Sequence, residues 1–381
     1  MQPAGGPRGW GGEADRTVEP EIRPLESHDE LSQAEALERV VWGGPPIVPA
    51  ATMRAVLEVG GCVLGAWLDG ELVGFCFGFP GWRRRQPVPP GLDEPAPDPP
   101  LGPAPPVPTP PGPGEGTPTV PPSAAPAKGE EREPVFHSDL LAVRPDLRDR
   151  GIGRRLKLAQ RQWALAQGIH LITWTYDPLQ ARNGYLNLTR LGGVVRRYVR
   201  EFYGTLDDEL NRGLPADRAV VEWYLRSRRV SRRAAAAGVV EAGRRGVEPA
   251  PRGAGGAEER GRGGEAAPDQ GARPAAEARP GADAEVPVLN RLRDADGIPE
   301  PVGWRPPQGE PAVGVRIPAQ FAAWRQGRPH WGLAWRYHLR EVLEACLAAG
   351  YLMDRCIPPT GLGGGSAGPT ALYVLTRRAS P

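Results

Sequence analysis

Lysine is nearly missing from this sequence. Its 381 residues hold Lys128 and Lys157 and no other. The rest of the basic charge is arginine, and with Gly 51 and Pro 47 this reads as the codon bias of a GC-rich genome, so arginine runs carry less functional weight here. Cysteine is scarce too. Cys62, Cys76, Cys346 and Cys356 form no C-x-x-C pair and no Cys/His cluster, which argues against a zinc site. Cys62 and Cys76 lie in apolar, strand-like runs, where a thiol behaves as a small hydrophobe. No uninterrupted apolar run reaches the roughly 18 residues a membrane helix needs. The opening "MQPAGGPRGWGGEADR" lacks the apolar core of a secretory signal, so the expectation is a reduced, cytoplasmic protein. A net charge of +2 argues neither for nor against a nucleic-acid partner. The run "RSRRVSRR" at 226–233 has no interleaved aromatics and reads as solvated charge rather than a nucleic-acid surface. No G-x-S-x-G elbow or Cys/His pairing offers a covalent nucleophile.

What is present divides the chain. Residues 1–18 read as a disordered tail. Residues 19–230 read as one α/β domain, interrupted at 83–134 by an insertion too rich in proline to offset its ordering entropy. Residues 231–286 read as a disordered Ala/Gly/Arg-rich linker, and 287–381 as a C-terminal β-α-β-β region packing on the domain. Within the domain, Ser27 and Glu30 form a capping box before a helical run. Asp69-Gly70 sits between two β-rich runs, the signature of a two-residue hairpin. The ordered elements follow as β α α β β, insertion, β α β α β β, insertion, β α β β. A hairpin and a β-α-β crossover in one chain imply a mixed sheet covered by helices.

The segment that carries chemistry is "LAVRPDLRDRGIGRRL" at 141–156. A strand ends at Val143. Gly151 and Gly153 mark the junction with a helix, whose residues Ile152, Leu156, Ala159, Trp163 and Ala166 recur on one stripe. The opposite face carries Arg154, Lys157, Arg161 and Gln162. A helix N-terminus leaves four backbone N–H groups without intrahelical partners, and the macrodipole makes that end electropositive. Glycine lets a ligand approach, and Arg148, Arg150, Arg154 and Arg155 add charge-assisted donors. Together these predict a diphosphate cradle. The segment is neither a Walker A loop nor a dinucleotide fingerprint, since Leu156 stands where the third glycine would be.

The stretch resembles the acyl-CoA loop of the GNAT N-acyltransferases, [R/Q]-x-x-G-x-[G/A] after a strand ending in L-x-V. The resemblance covers roughly residues 20–225 and is strongest to a bacterial subgroup of predicted acetyltransferases with an extra C-terminal region. It implies a mostly antiparallel central sheet flanked by helices, with the C-terminal β-α-β-β block as an extension. It implies acetyl-CoA as co-substrate and no metal. The backbone of Arg148, Asp149, Arg150, Gly151, Ile152, Gly153 and Arg154 would hold the diphosphate. Leu141, Ala142 and Val143 would pair with the pantetheine arm, and the strands at 136–143 and 170–177 would splay to admit it. Asp139, four residues before Val143, would be the general base, with His137 the alternative. Strand alternation puts both on one face with Leu141 and Val143. The family's tyrosine, four residues before a glycine, is replaced by Leu188. Tyr185 stands one turn earlier as a candidate acid, and Asn183 beside it as a coenzyme contact.

The function implied is acyl transfer to the amine of a small molecule or protein, with a homodimer contact one role open to the C-terminal block. Two other classes fit the sequence. One is a coenzyme-binding or regulatory module without turnover. The other is an interaction protein acting through its Pro-rich insertion.

Overall fold

The computed structural model describes residues 19–44, 47–92, 131–204, 213–245, 286–359 and 369–377, with only the backbone over 237–245. The tail at 1–18, most of the Pro-rich insertion and most of the linker lie outside the described residues.

The first half runs β1 (Glu21–Pro24), α1 (His28–Trp42), α2 (Ala50–Glu58), β2 (Cys62–Leu68), β3 (Glu71–Arg84), β4 (Arg132–Val143), α3 (Ile152–Ala166), β5 (Leu171–Tyr176) and α4 (Ala181–Gly184). A π-helical stretch, Tyr185–Arg190, continues α4. Then come β6 (Val194–Val199), β7 (Arg218–Tyr224), α5 (Arg228–Arg245), β8 (Asn290–Ala295), β9 (Ile298–Trp304), β10 (Ala312–Pro318), α6 (Phe321–Trp324), α7 (Pro329–Ala348), β11 (Tyr351–Ile357) and β12 (Thr370–Arg377).

The local signals act as expected. Glu30 N–H donates to the Ser27 hydroxyl, and the Glu30 carboxylate accepts the Ser27 N–H, both at 3.2 Å. Asp69 and Gly70 both take positive φ, 49° and 82°, so the β2–β3 hairpin follows the right-handed strand twist.

Among the described residues, ten strands join in one sheet of order β1-β2-β3-β4-β5-β7-β6-β11-β12-β10. Only β4 and β5 run parallel; the other neighbours are antiparallel. The fold is thus a mixed, mostly antiparallel sheet flanked by helices. The C-terminal region does more than pack on the first domain. It extends the same sheet, with Met353 of β11 registered against Val195 of β6. α1 and α2 bury Leu31, Leu37 and Met53 against Phe75, Phe77 and Leu140 on one face. α3 and α7 bury Leu156, Trp163, Trp335 and Val342 on the other.

Three expectations are corrected. The insertion begins later than residue 83, because β3 and β4 stay paired to Arg84↔Arg132 and Leu92 is buried beside Val135, Leu171 and Tyr224. The charge run at 226–233 is only partly a solvated face: Arg226, Arg228 and Arg232 are exposed, but Arg229 and Arg233 are not. It opens α5, capped by the Ser227 hydroxyl, which accepts the Val230 N–H. There Arg229 donates to the Gly192 and Leu188 carbonyls at 3.0 and 3.1 Å, and Arg233 to the Thr189 carbonyl at 2.7 Å. The β8–β9 hairpin was not expected at all, although Asp296-Gly297 repeats the positive-φ pair of Asp69-Gly70.

Candidate active site

Past β4 the chain turns through a single 3-10 turn at Pro145–Leu147. The Arg144 and Pro145 carbonyls take the Leu147 and Arg148 amides at 3.0 and 3.4 Å. Asp149 and Gly151 then enter the left-handed region, at φ 66° and 81°. Gly151 is the N-cap of α3, and no side chain caps it. The helix picks up its own ladder where Arg155 N–H donates to the Gly151 carbonyl at 3.1 Å. Among the described residues, the Gly151, Ile152 and Gly153 amides meet no acceptor. Left-handed residues interspersed in a turn converge successive N–H groups into an anion-binding concavity, and the helix dipole adds positive potential. The space is open: a Cβ on Gly151 would meet nothing within 4 Å. At Gly153 a Cβ would come no nearer than 3.7 Å to the Leu141 and Val143 methyls, so packing does not demand that glycine.

Two cations crowd this opening. Arg182 pairs with Asp149 at 3.0 Å, and Arg148 Nε donates to the Val143 carbonyl at 3.4 Å. Partial desolvation, then the like charge of Arg182, lowers the Arg148 guanidinium from its ordinary value, with Asp149 opposing. An anion between them would relieve that repulsion. The other arginines are partly diverted. Arg154 donates to the Arg233 carbonyl at 2.8 Å, and Arg155 reaches Glu19 at 3.5 Å. Arg182 was missed because it lies a whole strand away in sequence.

From the foot of this cradle the sheet forks. β4 and β5 are registered only at Phe136↔Ile172 and His137↔Thr173, though β4 continues to Val143 and β5 to Tyr176. Leu141, Ala142 and Val143 still pair with β3 on their other edge. Among the described residues, no strand pairs with their β5-side edge. The cause is a β-bulge: Phe77↔Leu140 is followed by Gly78↔Ser138, leaving Asp139 as the extra residue. Bulges increase local twist and re-aim side chains.

That bulge corrects the expected alternation. Leu141 and Val143 flank Gly153 on the α3 side, whereas Leu140 and Ala142 pack toward α1 and α2. Asp139 stays with His137, its Oδ1 3.7 Å from His137 Nε2. His137 Nδ1 lies 3.5 Å from the Thr173 hydroxyl, and its ring packs 5.5 Å from Phe79. On α1, buried Glu38 accepts the Ile47 and Val48 amides at 2.7 and 3.0 Å. Desolvation raises its carboxyl, with smaller pushes from Glu35 and Asp139. An acid near the bulge is visible only in three dimensions.

Tyr185 is half-buried at the start of the π-helical stretch, and Asn183 is exposed two residues before it. The C-terminal strands hold this segment. Thr189 hydroxyl donates to the Cys356 carbonyl at 2.7 Å and accepts the Cys356 N–H at 3.0 Å. Tyr373 packs so tightly on Gly184 that a Cβ there would lie 2.4 Å from its hydroxyl.

Lys157 is the largest departure from expectation. It lies on the face of α3 opposite the apolar stripe, yet it is 2% exposed and Arg161 4%. The reason is that α3 is covered twice, by the sheet and by the start of α5. Arg161 donates to the Leu225 carbonyl at 2.7 Å and lies 3.5 Å from the Ser231 hydroxyl. Lys157 Nζ donates to Ser138 Oγ at 2.9 Å and Gln160 Oε1 at 2.8 Å, and sits 3.9 Å from the Trp174 ring centroid. Burial lowers its amine to about 7. The unfolded chain therefore holds one more proton than the native one between pH ~7 and ~10.4, so native stability rises with pH across that window. Urea midpoints measured from pH 6 to 10 should show that rise in the wild type and lose it in Lys157→Met.

Residues 35–187 match the model of the Acetyltransferase (GNAT) family. No curated protein matches the chain. Solved structures similar to it include the ribosomal-protein-S18-alanine N-acetyltransferase from Escherichia coli, at 13% identity over 54% of this chain and 93% of that one, TM-score 0.33. The acetyltransferase of GNAT family from Streptococcus pneumoniae is 13% identical over 53% of this chain and 97% of that one, TM-score 0.34. A GNAT family acetyltransferase from Elizabethkingia anophelis with acetyl-CoA bound is 11% identical over 54% and 98%, TM-score 0.33.

Proposed function

We propose that this chain, whose residues 35–187 match the GNAT acetyltransferase family model, is an acyl-CoA-dependent N-acyltransferase that moves an acetyl group from acetyl-CoA to a primary amine by direct attack. One observation carries the reading: the open amide cradle at Gly151–Gly153 stands at the foot of a fork between β4 and β5. The two features suit the two ends of such a coenzyme. A diphosphate would accept the converging N–H groups and the charge of Arg148 and Arg182. The open edge of Leu141–Val143 would bond the amides of the pantetheine arm. Asn183 is an added contact.

When bound, the coenzyme supplies an acyl group already activated as a thioester. The chain then contributes position and electrostatics. Backbone N–H groups beyond the bulge polarise the carbonyl. Asp139, close to His137, accepts the proton of the incoming amine directly or through one water. Tyr185 holds a proton for the departing sulfur. Asp139→Asn should lower kcat by about 100-fold or more with acetyl-CoA affinity unchanged, since a positioned base contributes roughly 10²- to 10⁴-fold. An amine panel read by thiol release would supply the substrate for that comparison.

A second reading is favoured by Leu188 in the family's tyrosine slot: a module that binds the coenzyme and turns nothing over. Calorimetry separates the outcomes. Acetyl-CoA binding with thiol release on some amine supports the enzyme, binding without release on any amine supports the module, and no binding removes both.

A further inference from the structure

Lys157 lies where the fork opens. The last registered pair of β4 and β5 is His137↔Thr173, and the next residue on each strand, Ser138 and Trp174, faces the Lys157 amine. β7 adds Trp223, whose ring centroid is 5.5 Å from Nζ. Titratable groups approach from β2 and β3, as Cys62 and Cys76. Burial pushes both thiols up, Cys76 to about 12, so neither supplies an anion. On its own helix Lys157 meets Gln160, while Arg161 one turn on is directed to the Leu225 carbonyl. Among the described residues no carboxylate pairs with this amine. Such a group costs stability, because a methionine would fill the same column without desolvating an amine.

We propose that Lys157 is a positioning residue whose amine takes up a proton when the thioester coenzyme binds, fixing the Ser138 hydroxyl on the β4 bulge. The inference rests on the coenzyme reading above. Lys157 follows Gly151 by six residues on α3, about 9 Å along the axis. At an effective dielectric of about 20, each negative charge at that distance raises an amine by about one pKa unit. A diphosphate in the cradle would therefore turn an amine near half-charged at neutral pH into a fully charged one. The consequence for Ser138 is geometric. A neutral amine can accept the hydroxyl proton, but an ammonium has donors only. Once Lys157 is charged, Ser138 must accept from it, and its own proton turns to the other side, toward the fork. The hydroxyl is set by the arrival of the ligand.

Because the sequence holds only Lys128 and Lys157, lysine labelled with ¹³C at Cε gives two side-chain resonances, assigned with Lys128→Arg. The full-length protein is titrated with pH, alone and saturated with acetyl-CoA. The Lys157 resonance should titrate near neutral pH in the free protein and at least one unit higher in the complex. Calorimetry at pH 7.5 in two buffers of different ionisation enthalpy should show net proton uptake in the wild type that Lys157→Met lacks. A Lys157 resonance that titrates at the same pH in both states overturns the inference. So does one charged to above pH 9 in the free protein, or equal proton uptake by Lys157→Met. Binding with an unmoved Lys157 defeats this inference alone. No acetyl-CoA binding by the wild type defeats the coenzyme reading and this inference with it.

Discussion

Gly153→Glu should abolish measurable acetyl-CoA binding while leaving the melting temperature unchanged or slightly raised. The two effects have opposite causes. In the helix, the substitution removes a glycine penalty of about 0.5–1 kcal/mol and places an acid near the positive end of the dipole, about 0.3–1 kcal/mol favourable. A Cβ there makes only ordinary contacts, at 3.7 Å, with Leu141 and Val143. A diphosphate held by the same amides would face a carboxylate at about 4 Å, which costs roughly 4 kcal/mol per charge at an effective dielectric near 20. Affinity should therefore fall at least about 100-fold. Gly153→Gln, with the same reach and no charge, should lose about tenfold. Calorimetry and thermal melts on the three proteins read both axes. A Kd within about threefold of wild type in Gly153→Glu would mean that the ligand does not sit at this helix end.

Arg336→Met should cost about 3–5 kcal/mol of stability and lower the melting temperature by about 10 °C. Arg336, on α7, is fully buried and meets Asp177 with two bonds, 2.8 and 2.7 Å. Burial alone would raise the Asp177 carboxyl, but the Arg336 guanidinium outweighs it and holds the group below the ordinary value. Removing the arginine leaves a charge buried and unpaired. Asp177 also accepts the Leu179 N–H at 2.9 Å, shaping the turn into the segment that carries Asn183 and Tyr185. The loss should thus reach the site as well as the fold. The double variant Asp177→Leu, Arg336→Met removes both charges and should recover most of the stability. Equal destabilisation in the single and double variants would contradict this account. The linkage has a definite sign. Asp177 stabilises above its unfolded pKa of ~3.9, and that contribution is lost as pH falls through its lower native value.

The parts of this fold legible in the sequence are those written in neighbouring residues. Ser27 with Glu30, Asp69 with Gly70, and the strand–glycine–helix run at 141–156 each specify their structure within a few positions. What stayed hidden depends on residues far apart. The bulge that isolates Asp139 arises from pairing with Phe77 and Gly78, across the Pro-rich insertion. The continuity of β6 with β11 joins residues more than 150 positions apart. α5 runs from Arg228 into an Ala/Gly/Arg-rich tract with no apolar stripe, and what fixes its start is Arg229 and Arg233 binding carbonyls at 188–192. The burial of Lys157 depends on Ser138 of β4 and Trp174 of β5, which no spacing within α3 reveals. A single lysine in an arginine-rich domain was the one available clue.

The central claim is that the main-chain donors at Gly151–Gly153 receive the anionic end of the coenzyme. Amide chemical shifts of ¹⁵N-labelled protein, followed as acetyl-CoA is added, test it most directly. The account predicts the largest downfield changes at the amides of residues 149–154, with a second group at 140–143. Saturation with acetyl-CoA that leaves those amides unmoved, or that shifts a different region of the sheet, would contradict it.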